Sequence, residues 1–301
     1  MSRPLSERAA AGTSSGRRPV NEDAILLAQL SPAAELIAVA DGMGGYQAGE
    51  IASRRALEVL HSAVMAGEAL PAAVRLANDA VFDEASARPE CRGMGTTLVA
   101  ALRQGNHYAV VNVGDSRAFR IDRQGISQIT CDNSFVAEAV QSGQLSVKEA
   151  ERSLWRNAVT RCVGTDRELE VDCYGPYDPR EPHTLVLCTD GAHRALSPDT
   201  LRRLVLEAVD PEAAVSAVLH AAYDAGSDDN ISVAVVGFEP LVLESPPRSG
   251  TGPPVIAPLR ESRRRRSSHR SRGRWTLVHA AVILLGAILA VAYIARGVLT
   301  P

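Results

Sequence analysis

The sequence predicts an α+β fold, followed by a linker and a C-terminal membrane-spanning helix. Three observations carry that expectation. Strand-like and helix-like patterns come in blocks, without strict one-for-one alternation, up to about residue 240. Residues 241–274 are rich in Pro, Gly, Ser and Arg, which is linker composition. Residues 275–295 contain no Asp, Glu, Lys or Arg.

Taken in order, "ELIAVA" (35–40) is an apolar run of strand length. The stretches "GEIASRRALEVLHSAVMAG" and "ALPAAVRLANDAVFDEASA" place apolar residues at helical spacing. "TTLVAAL", "HYAVVNVG", "AFRID" and "ISQIT" follow as strands with short turns between them, and are expected to form one antiparallel meander. The part from residue 131 to 170 is expected to hold two short helices. "TLVLCT" (184–189) is a further buried strand, "PEAAVSAVLHAAYDAG" a helix, and "ISVAVVGF" (231–238) the closing strand.

The run 275–295 is long enough, at about 1.5 Å per helical residue, to cross a ~30 Å hydrocarbon core. Trp275 and Tyr293 lie near its ends, where amphipathic rings favour the interface. Arginines crowd just before it ("RESRRRRSSHRSRGR", 260–274) and only Arg296 follows. The positive-inside rule then keeps the N-terminal domain in the cytoplasm, with the arginines against anionic lipid. A buried core helix is the competing reading of the run, and a nucleic-acid patch that of the arginines. The chain carries a formal net charge of −3 despite that cluster, so the preceding 1–240 region is acidic, which argues against nucleic acid as a partner. Its five cysteines are odd in number and form no C-x-x-C pair, so neither a disulfide framework nor a zinc site is expected. The first residues lack the apolar core of a secretory signal.

Acidic residues fall at strand termini. "LIAVA" runs into Asp41-Gly42, "VVNVG" into Asp115 and "LVLCT" into Asp190-Gly191, while Asp228 and Asp229 precede "ISVAVV". In antiparallel or facing sheets these ends meet at one edge. Gathered carboxylates repel unless cations neutralise them, and oxygen-only donors suit Mg²⁺ or Mn²⁺. Each Asp-Gly alone is explained as well by a turn. No P-loop, H-E-x-x-H or G-x-S-x-G motif offers a rival chemistry.

With these stretches in view, the sequence resembles the metal-dependent Ser/Thr protein phosphatases, the PPM or type-2C family, in its bacterial form. The resemblance rests on "RPVNEDA" (18–24), "VADGMGG" (39–45), "GMGTTLVAAL" (93–102), "VNVGDSRAFR" (111–120), "NAVTRCVG" (157–164), "LCTDG" (187–191) and "SDDNISVAVV" (227–236), and covers about residues 10–240. It implies a four-layer α-β-β-α sandwich of two antiparallel sheets with metals at one end. It implies that Asp41 bridges two Mn²⁺ or Mg²⁺ ions, that the Gly42 carbonyl serves the first, and that Asp190 and Asp229 hold the second. Asp115, with Asp190, matches the acids of a third, weaker ion. Glu22 and Asp23 match acids that hold metal-bound waters, and Arg18 matches the arginine that grips the substrate phosphate, with Arg17 as its alternative. Asp228 is expected to shape the turn and Asn230 to fix the loop. The implied activity is hydrolysis of phosphoserine and phosphothreonine in proteins by a metal-activated water, opposing a Ser/Thr kinase at the cytoplasmic membrane face.

Two departures stand out. Met43 occupies the place where many members carry a His, and a thioether has no proton for the departing alkoxide. "AERSLWR" (150–156) stands where bacterial relatives commonly have His-Pro, so the flap over the metal edge is expected to be unusual. His193 is expected to be a surface or core-edge residue. Two other readings remain beside the phosphatase: a non-catalytic phosphoprotein-binding adaptor, which loss of the ligand acids would mark, and a hydrolase of small phosphate esters. Ser267, Ser268 and Ser271 among the arginines are candidate phosphorylation sites.

Overall fold

The structure is a computed structural model that describes residues 5–44, 48–178 and 182–238. All of them fall in the first of two units, Met1–Glu244. The linker 241–274 and the expected span 275–295 lie outside the described residues; among those described, no helix is long and apolar enough to cross a membrane.

A single turn, α1 (Leu5–Arg8), leads into β1 (Ala9–Ser14), β2 (Asp23–Ser31) and β3 (Ala34–Met43). Two long helices follow, α2 (Ala48–Met65) and α3 (Leu70–Ala87), and then β4 (Gly95–Thr96), β5 (Leu98–Gln104) and β6 (His107–Val113). Next come β7 (Arg117–Ile121), β8 (Ile126–Gln128), α4 (Phe135–Gln141), α5 (Val147–Arg152) and β9 (Asp172–Tyr177). The described part closes with β10 (His183–Cys188), α6 (Asp190–His193), α7 (Pro198–Glu207), α8 (Pro211–Asp224) and β11 (Ile231–Phe238). One sheet runs β1-β11-β10-β7-β8 and the other β2-β3-β5-β6-β9, with β4 added to β3. The strand pairs are antiparallel throughout.

Side-chain alternation along the strands builds three cores between four layers. Leu36, Ala38 and Ala40 of β3 face α2 and α3, together with Leu98, Ala100 and Leu102 of β5. Ile37 and Val39 point the other way and meet Leu185, Leu187, Ala234 and Val236 of the second sheet. Ile231, Val233 and Val235 of β11 turn outward onto α7 and α8. This is the expected sandwich: a helix pair, two stacked sheets and a second helix pair.

The expected meander is corrected. β5 and β6 pair in one sheet, but β7 and β8 belong to the other, so the chain changes sheets across Gly114–Ser116. Gly114 makes that crossing with a φ of 101°, backbone open to glycine, and its N–H is bonded to the Asn133 Oδ1 at 2.9 Å. The crossing places Asp115 between the sheets at their common edge.

The sequence pattern also passes over several elements. β1 is Ala- and Gly-rich, and β9 is an edge strand holding Gly175-Pro176, so neither shows a strand's usual composition. α7 carries a legible start, Ser197 capping the Thr200 N–H with Pro198 next. The two expected short helices are present as α4 and α5; Ser134 caps the first and a Ser146–Glu149 capping box opens the second. Cys91, Cys162 and Cys188 are buried and Cys131 and Cys173 exposed, all five free.

Candidate metal centre

Antiparallel register sets Asp23 of β2 directly opposite Asp41 of β3. Asp190 opens α6 at the end of β10, Asp115 lies in the sheet crossing, and Asp229 precedes β11. All five meet at one edge. Burial first, and then the negative fields of Asp23, Asp190, Asp115 and Asp229, push the Asp41 carboxyl well above its ordinary value. Burial pushes Asp23 up to about 7 and Asp115 up to about 6. Asp190 is raised as well, chiefly by burial, with Arg194 working against it.

The backbone at this edge is tied down. Thr97 holds Asp41 from both sides, its Oγ1 accepting the Asp41 N–H at 3.0 Å and its N–H donating to the Asp41 carbonyl at 2.9 Å. The Thr189 and Ser232 hydroxyls both donate to Asp23 Oδ2, at 2.9 and 2.6 Å. Asn230 is a stitch: its Nδ2 donates to the carbonyls of Ser15 and Val20, and its Oδ1 accepts the Glu22 N–H. It thus ties down residues 15–22, where the sequence points to the loop after Asp229. Glu22 accepts the Gly49 N–H at the start of α2, and burial raises its carboxyl.

The two Asp-Gly pairs are not turns. Gly42 continues β3 and Gly191 lies in α6. A Cβ on Gly42 would stand 2.0 Å from the Gly49 carbonyl oxygen, and one on Gly191 2.0 Å from that of Asn230. Glycine is needed there because backbone packs on backbone beside each acid. Asp41 accordingly lies within its strand, two residues short of its end.

Arg18 lies at the rim, its side chain half exposed. Its Nε donates to the Asp228 carbonyl at 2.7 Å and its Nη2 to Asp229 Oδ2 at 2.9 Å. Arg17 instead lies over the Tyr223 ring, 5.4 Å from its centre. His193 is buried, and its Nε2 is 2.9 Å from the Asp115 carbonyl oxygen. Met43 Sδ is 3.5 Å from Cys162 Sγ.

Among the described residues no three acidic, imidazole or thiolate groups form a finished cage around one point. Arginines and hydroxyls hold the carboxylates instead. Arg194, which the sequence reading passed over, bonds Asp115 at 2.6 Å and Asp190 at 2.7 Å. Its signal was its position four residues after Asp190, on the same helical face. Two carboxylate oxygens remain buried without a partner, Asp23 Oδ1 and Asp190 Oδ1. Unsatisfied buried oxygens are costly, and carboxyls raised by burial and then by one another's negative fields lack positive charge. An oxygen-only donor set of this kind fits hard divalent cations.

The chain is similar to proteins of known function. The Protein phosphatase 2C family profile matches residues 13–222. The serine/threonine protein phosphatase PstP of Mycobacterium tuberculosis is 36% identical over 227 residues, covering 72% of this chain and 42% of that protein. The chain thus spans less than half the length of that relative. Among solved structures, serine/threonine phosphatase Stp1 from Staphylococcus aureus superposes with a TM-score of 0.71 at 31% identity, over 77% of this chain and 95% of that one. The catalytic domain of PstP in complex with two manganese ions superposes at 0.67 with 29% identity, over 77% and 98%. The family profile and the two antiparallel sheets with their acidic edge agree: this chain belongs to the protein phosphatase 2C family.

Proposed function

We propose that the chain hydrolyses phosphoserine and phosphothreonine in proteins, using two Mn²⁺ or Mg²⁺ ions held at the acidic edge. Asp41, Asp190, Asp229, Asp23 and the Gly42 carbonyl are the oxygen donors for the two ions in this reading, with Glu22 behind them and Asp115 beside them. One observation carries it: carboxylates from five separate segments gather beside an arginine, and two buried oxygens among them have no partner. A pair of divalent cations, when bound, supplies acidification of a water nucleophile and neutralises the phosphoryl oxygens.

The remaining work falls to side chains. Arg18 holds the phosphate, and its aim is set by the Asp228 carbonyl and Asp229, which engage its Nε and Nη2 while the side chain stays half exposed. Thr97 keeps the Asp41 backbone from moving as charge builds. Neither Cys162 nor Cys188 competes as nucleophile: burial, with Asp115 and Asp41, pushes the Cys162 thiol up to about 12, and burial does the same for Cys188. Retention of all the acids favours catalysis over a binding-only adaptor.

The cognate phosphoproteins in this reading are a Ser/Thr kinase and its targets, met at the cytoplasmic face of the membrane. The uncharged run 275–295 behind an arginine cluster supports tethering, which raises local concentration at such targets. The full chain should release phosphate from a phosphothreonine peptide only with Mn²⁺ or Mg²⁺, and Asp190→Ala should abolish release. Turnover in excess chelator would overturn the proposal. For the tether, the full chain should float with vesicles containing anionic lipid while residues 1–244 stay behind; equal behaviour of the two would remove it.

A further inference from the structure

Arg194 makes the densest set of contacts at the acidic edge, and nothing in the proposed reaction uses it. Its N–H donates to the Asp190 carbonyl at 2.9 Å, closing the one-turn helix that Asp190 opens. Its Nη1 meets Asp190 Oδ2 at 2.7 Å and Asn157 Oδ1 at 2.6 Å. Its Nη2 meets Asp115 Oδ2 at 2.6 Å and the Arg156 carbonyl at 3.1 Å. One guanidinium thus joins two carboxylates from different segments and reaches across to the segment after α5.

Asp190 is divided by this arrangement. Its Oδ2 is taken by the guanidinium, while its Oδ1 stays buried without a partner. That second oxygen would remain to help Asp41 and Asp229 hold an ion. A divalent ion drawn to Asp115 and Asp190 together would compete with Arg194 for Oδ2 of each acid, and would set its charge against the guanidinium. The two cations compete for one place.

The segment reached by Arg194 has few other ties. Within 153–157 the backbone bonds are local: Arg156 N–H to Ser153 and Ser153 N–H to Ala150. Trp155 contacts Phe135 of α4, which belongs to the same flap. Among the described residues, the hydrogen bonds from 153–157 to the body outside the flap are those of Arg194.

We propose that Arg194 is a built-in cation for the Asp115–Asp190 pair, taking the place a further divalent ion would hold there and latching residues 153–157 over the acidic edge. The inference rests on reading that edge as a metal site. It is tested on the full chain by Mn²⁺ titration, with free Mn²⁺ followed by electron paramagnetic resonance, and by hydrogen exchange without metal.

The wild type should take up about two Mn²⁺ and Arg194→Ala about one more, in a weaker class. Amides of 153–158 should exchange roughly tenfold faster in Arg194→Ala, with α2 and the sheets unchanged, because two charge-assisted bonds are gone. Asn157→Ala should loosen the segment and leave Mn²⁺ uptake as in the wild type. Arg194→Lys should keep the further ion out and still lose the latch, since an ammonium does not span four acceptors. If the wild type binds Mn²⁺ and Arg194→Ala binds no more, the cation role falls. If exchange of 153–158 is unchanged in Arg194→Ala, the latch falls. If neither protein binds Mn²⁺, the metal-site reading falls and takes this one with it.

Discussion

Adjacent arginines meet different fates at the rim of the acidic edge. Arg18 is held by the Asp228 carbonyl and Asp229, while Arg17 lies against Tyr223. Arg18→Ala should therefore lower kcat/KM on a phosphothreonine peptide by roughly 10²-fold, the scale of losing one aimed donor to a charged transition state. Arg18→Lys should recover only part, because an ammonium lacks the fork that grips two phosphate oxygens. Arg17→Ala should change little; an equal loss at both positions would show that Arg18 has no special aim. The choice between them was open in the sequence, where the two residues are identical neighbours. Only the packing of Tyr223 and the loop before β11 separates them.

At the scale of elements, the edge depends on how β2, β3 and α2 close on one another. Gly42 N–H donates to the Glu22 carbonyl at 3.1 Å, and Ser53 Oγ of α2 donates to the same carbonyl at 2.6 Å. A methyl on Gly42 would stand 2.0 Å from the Gly49 oxygen and 2.5 Å from that of Glu22, both backbone atoms that do not swing aside. Gly42→Ala should cost about 1–3 kcal/mol in urea unfolding, the range for overpacking, and weaken Mn²⁺ uptake with it. An unchanged midpoint would mean that the edge has room for a methyl group at Gly42. Asn78 of α3 does similar work for the 164–167 segment. It is fully buried, its Nδ2 donates to the Asp166 carbonyl at 2.8 Å, and its Oδ1 accepts the Gly164 N–H at 2.7 Å. Asn78→Ala should cost about 1–3 kcal/mol by leaving those backbone groups unpaired. The helices were legible because their apolar period is strong. β1 and β9 were not, since a neighbour supplies what their own side chains lack.

Across the whole molecule, the two sheets are joined by charge at the end of β3 opposite Asp41. Glu35 of β3 is buried and takes Arg103 of the facing strand in a two-pronged pair, at 2.9 and 2.7 Å. It also bonds Arg8 of α1, whose Nη1 donates to the Gly237 carbonyl of β11 in the other sheet. Burial raises the Glu35 carboxyl, but the bonds from Arg103 and Arg8 outweigh it and leave it below its ordinary 4.5. The stabilisation is therefore complete above that pH and is lost as pH falls through the lower, folded value. Glu35→Gln should cost about 3–5 kcal/mol at neutral pH, with the gap to the wild type narrowing in acid. A gap that stays constant with pH would show that the pair's charge contributes nothing.

The sequence alone determined the α+β class, the principal helices and central strands, and Asp41, Asp115, Asp190 and Asp229 as acids that meet at one edge, because hydrophobic period and strand-end carboxylates are local signals; Asp23 joined them only through the family resemblance. Tertiary structure alone decided that β6 and β7 part into different sheets, since Gly114 permits the crossing but no period announces it. It alone decided which cation stands between Asp115 and Asp190. Charge neutralisation is a property of distance in three dimensions, and the 79-residue separation of Asp115 and Arg194 hides it from any reading along the chain.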